Sequence, residues 1–310
     1  MKNPLRAAVV QAGSALFDTP GTLARFDSHV AAAADGDAEL VVFPEAFIGG
    51  YPKGIDFGAR MGMRSPEGRV WFQRYFDSAV ELNGPEIAHM GGRFAEHGLH
   101  GVVGVIERDG GTLYCSAFTF DATGAVVNVR RKLMPTALER IVWGTGDGST
   151  LEVAKTEIGR IGAAICWENF MPQLRLSLYG GGVELYCAPT VDDRPTWLPL
   201  MQTVAQEGRC YVLSACQHLV RGDGPVDYAP IQGDDPATVL IRGGSCIISP
   251  LGEVLAGPVF NSTQLLFADL DGAAIARGKY DFDVTGHYAR PDVFTLQIDR
   301  RRRTPINSST

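Results

Sequence analysis

The feature that most limits what this chain can fold into is an alternation of strand-like and helix-like segments that occurs twice. In the first half, the pattern predicts strands at 5–12, 39–44 and 100–107, helices at 22–34 and 84–97, and a hairpin formed by 114–120 and 125–132. In the second half, it predicts strands at 151–153, 158–166, 183–189 and 210–216, helices at 173–180 and 197–207, and a hairpin formed by 245–249 and 254–256. This order favours an α/β fold with two related halves around one core.

The domain organisation follows from the absence of a linker. No stretch rich in Pro or Ser separates the two halves, so we predict a single domain over residues 1–299. The remaining residues, 300–310, form a polar C-terminal tail that begins with four arginines. Because this basic cluster lies in a polar chain end, a solvated tail is a better interpretation than a binding patch.

Charge and hydropathy exclude several classes of protein. The 310 residues carry a formal net charge of -7, which gives no electrostatic reason to expect nucleic acid or an anionic membrane as a partner. No apolar run approaches the roughly 20 residues that a membrane helix needs. The N-terminus leads directly into a strand-like run without the core of a signal peptide, so we predict a cytoplasmic location.

The cysteines and histidines do not form a metal-binding pattern. None of the six cysteines has Cys-x-x-Cys spacing, and the six histidines include no His-Glu-x-x-His motif. We therefore predict no metal site. All cysteines except Cys166 lie in apolar strand-like segments and are most simply reduced core residues: Cys115, Cys187, Cys210, Cys216 and Cys246.

Cys166 differs because it lies where a predicted strand meets a predicted helix. The apolar run at 161–165 ends at Cys166, and Pro172 marks the start of the helix. A strand-to-helix corner presents a nucleophile out of the sheet, and free N–H groups at the helix start favour a thiolate and bind an oxyanion. Taken alone, Cys166 is more simply a small buried residue that ends a core strand.

Three further polar residues follow apolar strand-like runs in the first half. Glu45 ends the run at 40–44, and partial burial there would raise its pKa towards the range of a general base. Lys132 ends a hairpin strand, and Glu139 follows seven residues later. Each residue alone is more simply a strand-end acid or a surface lysine. Because strand ends of one sheet share an edge, we expect these groups to converge with Cys166 at such an edge.

Three short blocks resemble the signature motifs of the nitrilase, or carbon–nitrogen hydrolase, superfamily. The blocks occur in the order found in that family: Phe43-Pro44-Glu45-Ala46-Phe47, then Arg131-Lys132-Leu133-Met134-Pro135-Thr136 with Glu139-Arg140, then Cys166-Trp167-Glu168-Asn169-Phe170-Met171-Pro172. Further blocks resemble the true nitrilase branch: residues 49–54, 143–149, 188–193 and 286–293. One block could arise by chance, but the ordered set spans nearly the whole chain and is very specific.

The resemblance implies a fold, an assembly and an active site. The fold would be a four-layer αββα sandwich, which dimerises to αββα–αββα, so the partner would be a second copy of the chain in a homodimer or higher homo-oligomer. Glu45 would be the general base and acid, Lys132 the cation beside the tetrahedral intermediates, and Cys166 the thiol nucleophile of a Glu-Lys-Cys triad. Glu139 would be the supporting carboxylate, and no cofactor or metal is implied.

The implied activity is hydrolysis of a small-molecule nitrile to a carboxylic acid and ammonia, through a thioimidate and a thioester on Cys166. Family members often carry an aromatic residue or His where this chain has Ala137, so a wider pocket would favour aryl, arylalkyl or longer aliphatic nitriles. The expected pocket residues are Tyr51, Ala137, Trp143, Trp167 and Thr190. An amidase or carbamoylase, a cyanide hydratase or dihydratase, and a catalytically inactive scaffold remain as alternatives.

Overall fold

A computed structural model describes residues 1–303 and contains both halves of the predicted alternation. The first half comprises β1 (Leu5–Gln11), α1 (Thr19–Asp35), β2 (Leu40–Val42), β3 (Ala59–Arg60), β4 (Met63–Arg64), α2 (Pro66–Ser78), α3 (Pro85–His97), β5 (His100–Asp109), β6 (Thr112–Phe120), β7 (Val126–Arg131) and α4 (Glu139–Val142). The second half comprises β8 (Ala154–Thr156), β9 (Gly159–Ala163), α5 (Pro172–Gly180), β10 (Leu185–Cys187), α6 (Trp197–Gly208), β11 (Tyr211–Ser214), β12 (His218–Val220), β13 (Val239–Ile248), β14 (Val254–Phe260), β15 (Gln264–Leu270) and α7 (Gly272–Gly278).

Two large sheets carry most of the strands. The first has the order β15-β1-β2-β5-β6-β7, in which β1, β2 and β5 are parallel. The second has the order β12-β13-β11-β10-β9-β8, in which β9, β10 and β11 are parallel, and β14 pairs with β13. The chain crosses from the second sheet to the first at its end, because β15 pairs with β1 along seven residues. This pairing ties the two halves together.

Alternating side chains divide the core into three apolar layers. On β1, Leu5, Ala7 and Val9 pack into the cluster between the two sheets, whereas Ala8 and Val10 pack against α1 and α3. A third cluster lies between the second sheet and the helices α5 and α6. The layers are therefore helix, sheet, sheet, helix, and the predicted αββα sandwich is confirmed.

Local signals explain the helix of the first outer layer. The Asp18 side chain accepts a hydrogen bond from the Gly21 N–H, and Pro20 lies in the first turn, where its missing N–H costs nothing. Phe26 of α1 is fully buried and packs edge-on against Phe94 of α3, with ring centroids 5.4 Å apart. Burial of one such side chain stabilises the fold by about 1.5–3 kcal/mol.

Some predicted element boundaries are wrong. Residues 151–153 do not form a strand, because a 3₁₀ turn at Gly148–Thr150 precedes them and the edge strand β8 begins only at Ala154. The second hairpin is longer than predicted, with arms at Val239–Ile248 and Val254–Phe260. The sequence pattern also did not identify α2 or β15.

The end of the described chain lies against residues 147–151, which join the two halves. The Arg300 guanidinium donates a hydrogen bond to the Leu151 carbonyl, and the Arg303 N–H donates one to the Asp147 carboxylate at 2.7 Å. Residues 304–310 of the predicted tail lie outside the described residues, and the boundary at residue 299 stays a prediction. Within residues 1–303, no helix is long and apolar enough to cross a membrane. The cytoplasmic location and the homo-oligomer also stay predictions.

Candidate active site

The four predicted catalytic residues come together between the two sheets. Glu45 follows β2 and Lys132 follows β7, both in the first sheet, whereas Cys166 follows β9 in the second sheet. The expectation of a site at the edge of one sheet is therefore wrong. The two sheets face each other, so strand ends from both layers surround a single site.

Lys132 lies between two carboxylates. Its Nζ is 2.6 Å from Glu45 Oε1 and 2.8 Å from Glu139 Oε2. Lys132 is 1% exposed and Glu45 is fully buried, so each charge depends on the other for compensation. The Lys132 Nζ also lies over the ring face of Trp143, 5.3 Å from its centroid, where a cation is attracted to the ring.

Glu139 is held by hydrogen bonds on both oxygens. Oε2 accepts from Lys132 and from the Thr136 N–H at 2.6 Å, and Oε1 accepts from the Tyr51 hydroxyl at 2.9 Å. Glu45 differs because its Oε2 is buried and forms no hydrogen bond within residues 1–303. Of the two carboxylates, Glu45 therefore has the free oxygen that can accept a proton.

Cys166 lies on a tight corner beside a cavity that it helps to line. Its φ of 50° is in the left-handed region, which is uncommon for a residue with a side chain and costs about 1–3 kcal/mol. The Cys166 N–H donates to the Pro189 carbonyl at 2.9 Å, which holds this conformation. A 3₁₀ turn starts here and spans Cys166–Phe170, so the N–H of Trp167 lies in a first turn without an intrahelical acceptor.

Charges and burial shift the acid–base properties of three groups. Burial raises the pKa of Glu45, although attraction to Lys132 opposes the shift. Burial lowers the pKa of Lys132, but attraction to Glu45 and the neighbouring anions outweighs it, so the pKa lies well above its usual value. Burial, followed by repulsion from Glu45, raises the pKa of the Cys166 thiol. The thiolate expected at this corner is therefore opposed by burial and by the charge of Glu45.

A residue missed by the sequence reasoning joins the Lys132 and Cys166 segments. Glu168 Oε1 accepts hydrogen bonds from the Arg130 guanidinium and the Leu133 N–H, each at 2.6 Å. Its Oε2 accepts from the Ile165 N–H at 2.9 Å. One buried carboxylate thus binds the residue after Lys132 and the residue before Cys166. The Cys166 block contained Glu168, but local sequence gave no sign of its partners.

The backbone of Glu45 is held from both sheets. The Gln217 side chain, which follows β11 in the second sheet, donates to the Glu45 carbonyl at 2.8 Å. Ala46 has a positive φ of 51°, which turns the chain at the end of the strand segment. Gly104 of β5 permits close approach, because a Cβ there would lie 2.7 Å from Glu45 Cα. None of these three features was expected from sequence.

Two neighbouring cavities contain the predicted pocket residues. A cavity of about 250 Å³ contains Cys166, Trp167 and the 191–194 segment. A larger cavity of about 490 Å³, mostly apolar, contains Ala137 and Trp143. Four residues line both cavities: Tyr51, Lys53, Thr136 and Glu139.

The predicted pocket residues therefore do not lie together. Tyr51 lines both cavities, Trp167 lines the smaller one, and Ala137 and Trp143 line the larger one. Thr190 lines neither cavity; it is fully buried, and its hydroxyl contacts the Cys166 sulfur. Within residues 1–303, no group of three or more His, Cys, Asp or Glu side chains could hold a metal ion.

Known sequences match this chain over nearly its whole length. The family model described as carbon-nitrogen hydrolase matches residues 6–280. A nitrilase of Bradyrhizobium diazoefficiens is 53% identical and covers 99% of this chain and 95% of its own length. An aliphatic nitrilase of Sinorhizobium fredii is 50% identical and covers 97% of both chains. An arylacetonitrilase of Trametes versicolor is 48% identical over the full length of both.

Solved structures show the same fold at low sequence identity. The NitFhit protein of C. elegans is 19% identical, with a TM-score of 0.75, and the match covers 98% of this chain and 69% of that one. Nit3 of Saccharomyces cerevisiae, described as a member of the nitrilase superfamily, is 19% identical, with a TM-score of 0.71 and coverage of 93% and 97%. At this identity the likeness establishes the architecture alone.

Proposed function

The chain belongs to the carbon–nitrogen hydrolase family, and we propose that it is a nitrilase that converts an organic nitrile to the carboxylic acid and ammonia. The observation that carries this proposal is the buried arrangement of Lys132 between Glu45 and Glu139, beside a cavity lined by Cys166. The names of relatives that are 48–53% identical support a nitrile as substrate. A panel of substrates can distinguish this activity from those of an amidase and of an enzyme that acts on cyanide.

The first step forms a covalent bond to the nitrile carbon. The Cys166 thiol transfers its proton to Glu45 as the sulfur adds to the carbon, and the proton passes to the nitrile nitrogen, which gives a thioimidate. Burial raises the pKa of the Glu45 carboxyl and makes it a stronger base, whereas the raised pKa of the thiol makes its proton harder to remove, so the proton leaves as the sulfur adds to the carbon. Lys132 and the Trp167 N–H stabilise the negative charge that develops during addition.

Two water molecules complete the reaction. The first adds to the thioimidate carbon, with Glu45 moving its proton to the nitrogen, and the tetrahedral species gives its hydroxyl proton to the leaving nitrogen and expels ammonia to leave a thioester. The second water hydrolyses the thioester, which releases the carboxylic acid and returns the proton to the Cys166 sulfur. Glu139 positions Lys132 throughout, since its own oxygens are occupied by Lys132, Thr136 and Tyr51.

The cavities support a preference for aryl, arylalkyl or longer aliphatic nitriles. The nitrile carbon must reach the Cys166 sulfur in the smaller cavity, and we place the R group along the shared wall towards the larger, mostly apolar cavity. Ala137 leaves space in that larger cavity. Each methylene buried there is worth about 0.8 kcal/mol, so longer or aromatic R groups should bind more tightly than a methyl group.

A panel of substrates tests the proposal. Purified protein is incubated separately with phenylacetonitrile, an aliphatic dinitrile, phenylacetamide and cyanide, and ammonia release is measured, with the Cys166→Ala variant as the control. We expect the two organic nitriles to release ammonia and the variant to release none. A preference for phenylacetamide would indicate an amidase, and a preference for cyanide would overturn the proposed substrate class.

A covalent trap tests the nucleophile directly. After rapid quenching during turnover, mass spectrometry should find an acyl or imidate adduct on the peptide that contains Cys166. An adduct on a peptide containing one of the other five cysteines would contradict the assignment. All six thiols are buried, so burial alone does not select one of them.

A further inference from the structure

The hydroxyl of Thr190 contacts the sulfur of Cys166. Thr190 Oγ1 lies 3.2 Å from Cys166 Sγ, and both residues are buried. The two residues come from neighbouring strand ends of the second sheet, since Cys166 follows β9 and Thr190 follows β10. The Thr190 N–H donates to the Ala215 carbonyl at 2.8 Å, which fixes its backbone to the next strand segment.

A second hydrogen bond favours donation by this hydroxyl to the Cys166 sulfur. The Asp192 N–H donates to Thr190 Oγ1 at 2.9 Å, so one lone pair of the oxygen is occupied. A hydroxyl has one proton to give, and Cys166 Sγ is the acceptor within reach among residues 1–303. The Asp192 carboxylate is itself anchored by Arg194 and by the Trp167 indole, so the 190–194 loop is held against the nucleophile.

We propose that Thr190 is a catalytic residue that donates a hydrogen bond to the Cys166 sulfur and stabilises it as a thiolate during attack and as a leaving group during thioester hydrolysis. A hydrogen bond to a charged acceptor is stronger than one to a neutral acceptor, so the hydroxyl favours the thiolate over the thiol. It thereby offsets part of the effect of burial and of the Glu45 charge on this thiol.

This inference deepens the proposed function, but its test does not depend on nitrile hydrolysis. The rate of alkylation of Cys166 by iodoacetamide reports the thiolate directly, whatever the natural substrate is. Other groups also influence the pKa of this thiol. The titratable or charged side chains that interact with it electrostatically are Glu45, Tyr51, Cys115, Lys132, Glu139, Arg194 and Cys216. The variants below leave all of them in place.

The experiment compares Thr190→Val and Thr190→Ala, which lack the hydroxyl, with Thr190→Ser, which retains it. Alkylation of the peptide containing Cys166 is followed by mass spectrometry from pH 6 to 10. Loss of one hydrogen bond to a charged group should slow alkylation roughly 10- to 100-fold at a fixed pH and shift the profile to higher pH. Thr190→Ser should react within about threefold of the wild type, because the donor remains.

A matched control addresses effects of burial alone. Thr119 of β6 is also buried, four residues beyond Cys115 along the strand, so Thr119→Val should leave the alkylation profile unchanged. Overlapping profiles for wild type, Thr190→Val and Thr190→Ala would overturn the inference. Slow alkylation of Thr190→Ser would also overturn it, because the methyl group rather than the hydroxyl would then matter. If Thr190→Val does not fold, Thr190→Ala, which adds no bulk, decides the question.

Discussion

Replacing Glu168 by Gln should destabilise the protein and impair catalysis at the same time. The side chain is fully buried and faces the Arg130 guanidinium, which is itself 1% exposed. A glutamine oxygen can still accept from Arg130 and the Leu133 N–H, but its amide group then meets the Ile165 N–H, a second donor. The variant therefore leaves Arg130 without a counter-ion and Ile165 without an acceptor.

The magnitude follows from those two losses. Breaking a buried ion pair by removing one partner costs about 3–5 kcal/mol, and that range already includes the loss of its hydrogen bonds. With an unfolding entropy of about 2.1 cal/mol/K per residue, 4 kcal/mol corresponds to a decrease of about 6 °C in Tm for a chain of this length. Because Glu168 also fixes the positions of Lys132 and Cys166, kcat should fall by about tenfold or more at temperatures well below Tm.

The assay measures thermal and urea unfolding of wild type and Glu168→Gln at one protein concentration, together with kcat and KM. Glu81→Gln is the matched control, because Glu81 pairs with Arg108 at the surface and is 63% exposed. An exposed pair contributes about 0–1 kcal/mol, so the control should show almost no change in Tm. A loss below about 1 kcal/mol for Glu168→Gln would refute the reasoning that this carboxylate compensates a buried charge.

Three further predictions concern the active site. Glu45→Gln and Lys132→Met should each reduce kcat by several orders of magnitude. The double variant should lose far less than the product of the two single losses, because groups that act as a unit are non-additive. Near-normal turnover of Lys132→Met would contradict its proposed role. Glu45 must be ionised to accept a proton, and burial raises its pKa. As the pH is lowered, kcat/KM should therefore begin to fall at a pH above the ordinary glutamate pKa of about 4.3, which a pH–rate profile would show. Ala137→Trp should raise KM for aryl nitriles by filling the larger cavity and leave acetonitrile kinetics nearly unchanged, whereas equal effects on both would place the R group elsewhere.

The sequence by itself determined the parts of the fold and site that depend on neighbouring residues. The period of the apolar residues places most strands and helices to within a few residues, and turn and capping residues such as Pro172 mark where they start. The short blocks around Glu45, Lys132 and Cys166 identify the family, as the match of its model to residues 6–280 confirms. These signals lie within a few residues of each other along the chain, so no long-range contact is needed to recognise them.

Only the tertiary structure decided how those segments meet. The pairing of β15 with β1 closes the first sheet with residues from the far end of the chain, and it cannot be inferred from alternation alone. The contact of Gln217 with the Glu45 carbonyl joins residues 172 positions apart. Such contacts form because two sheets pack face to face and bring distant strand ends together, which depends on the fit of whole layers rather than on any local pattern. For the same physical reason, the Thr190 hydroxyl beside the Cys166 sulfur and the Glu168 carboxylate between the Lys132 and Cys166 segments emerged only from the folded chain.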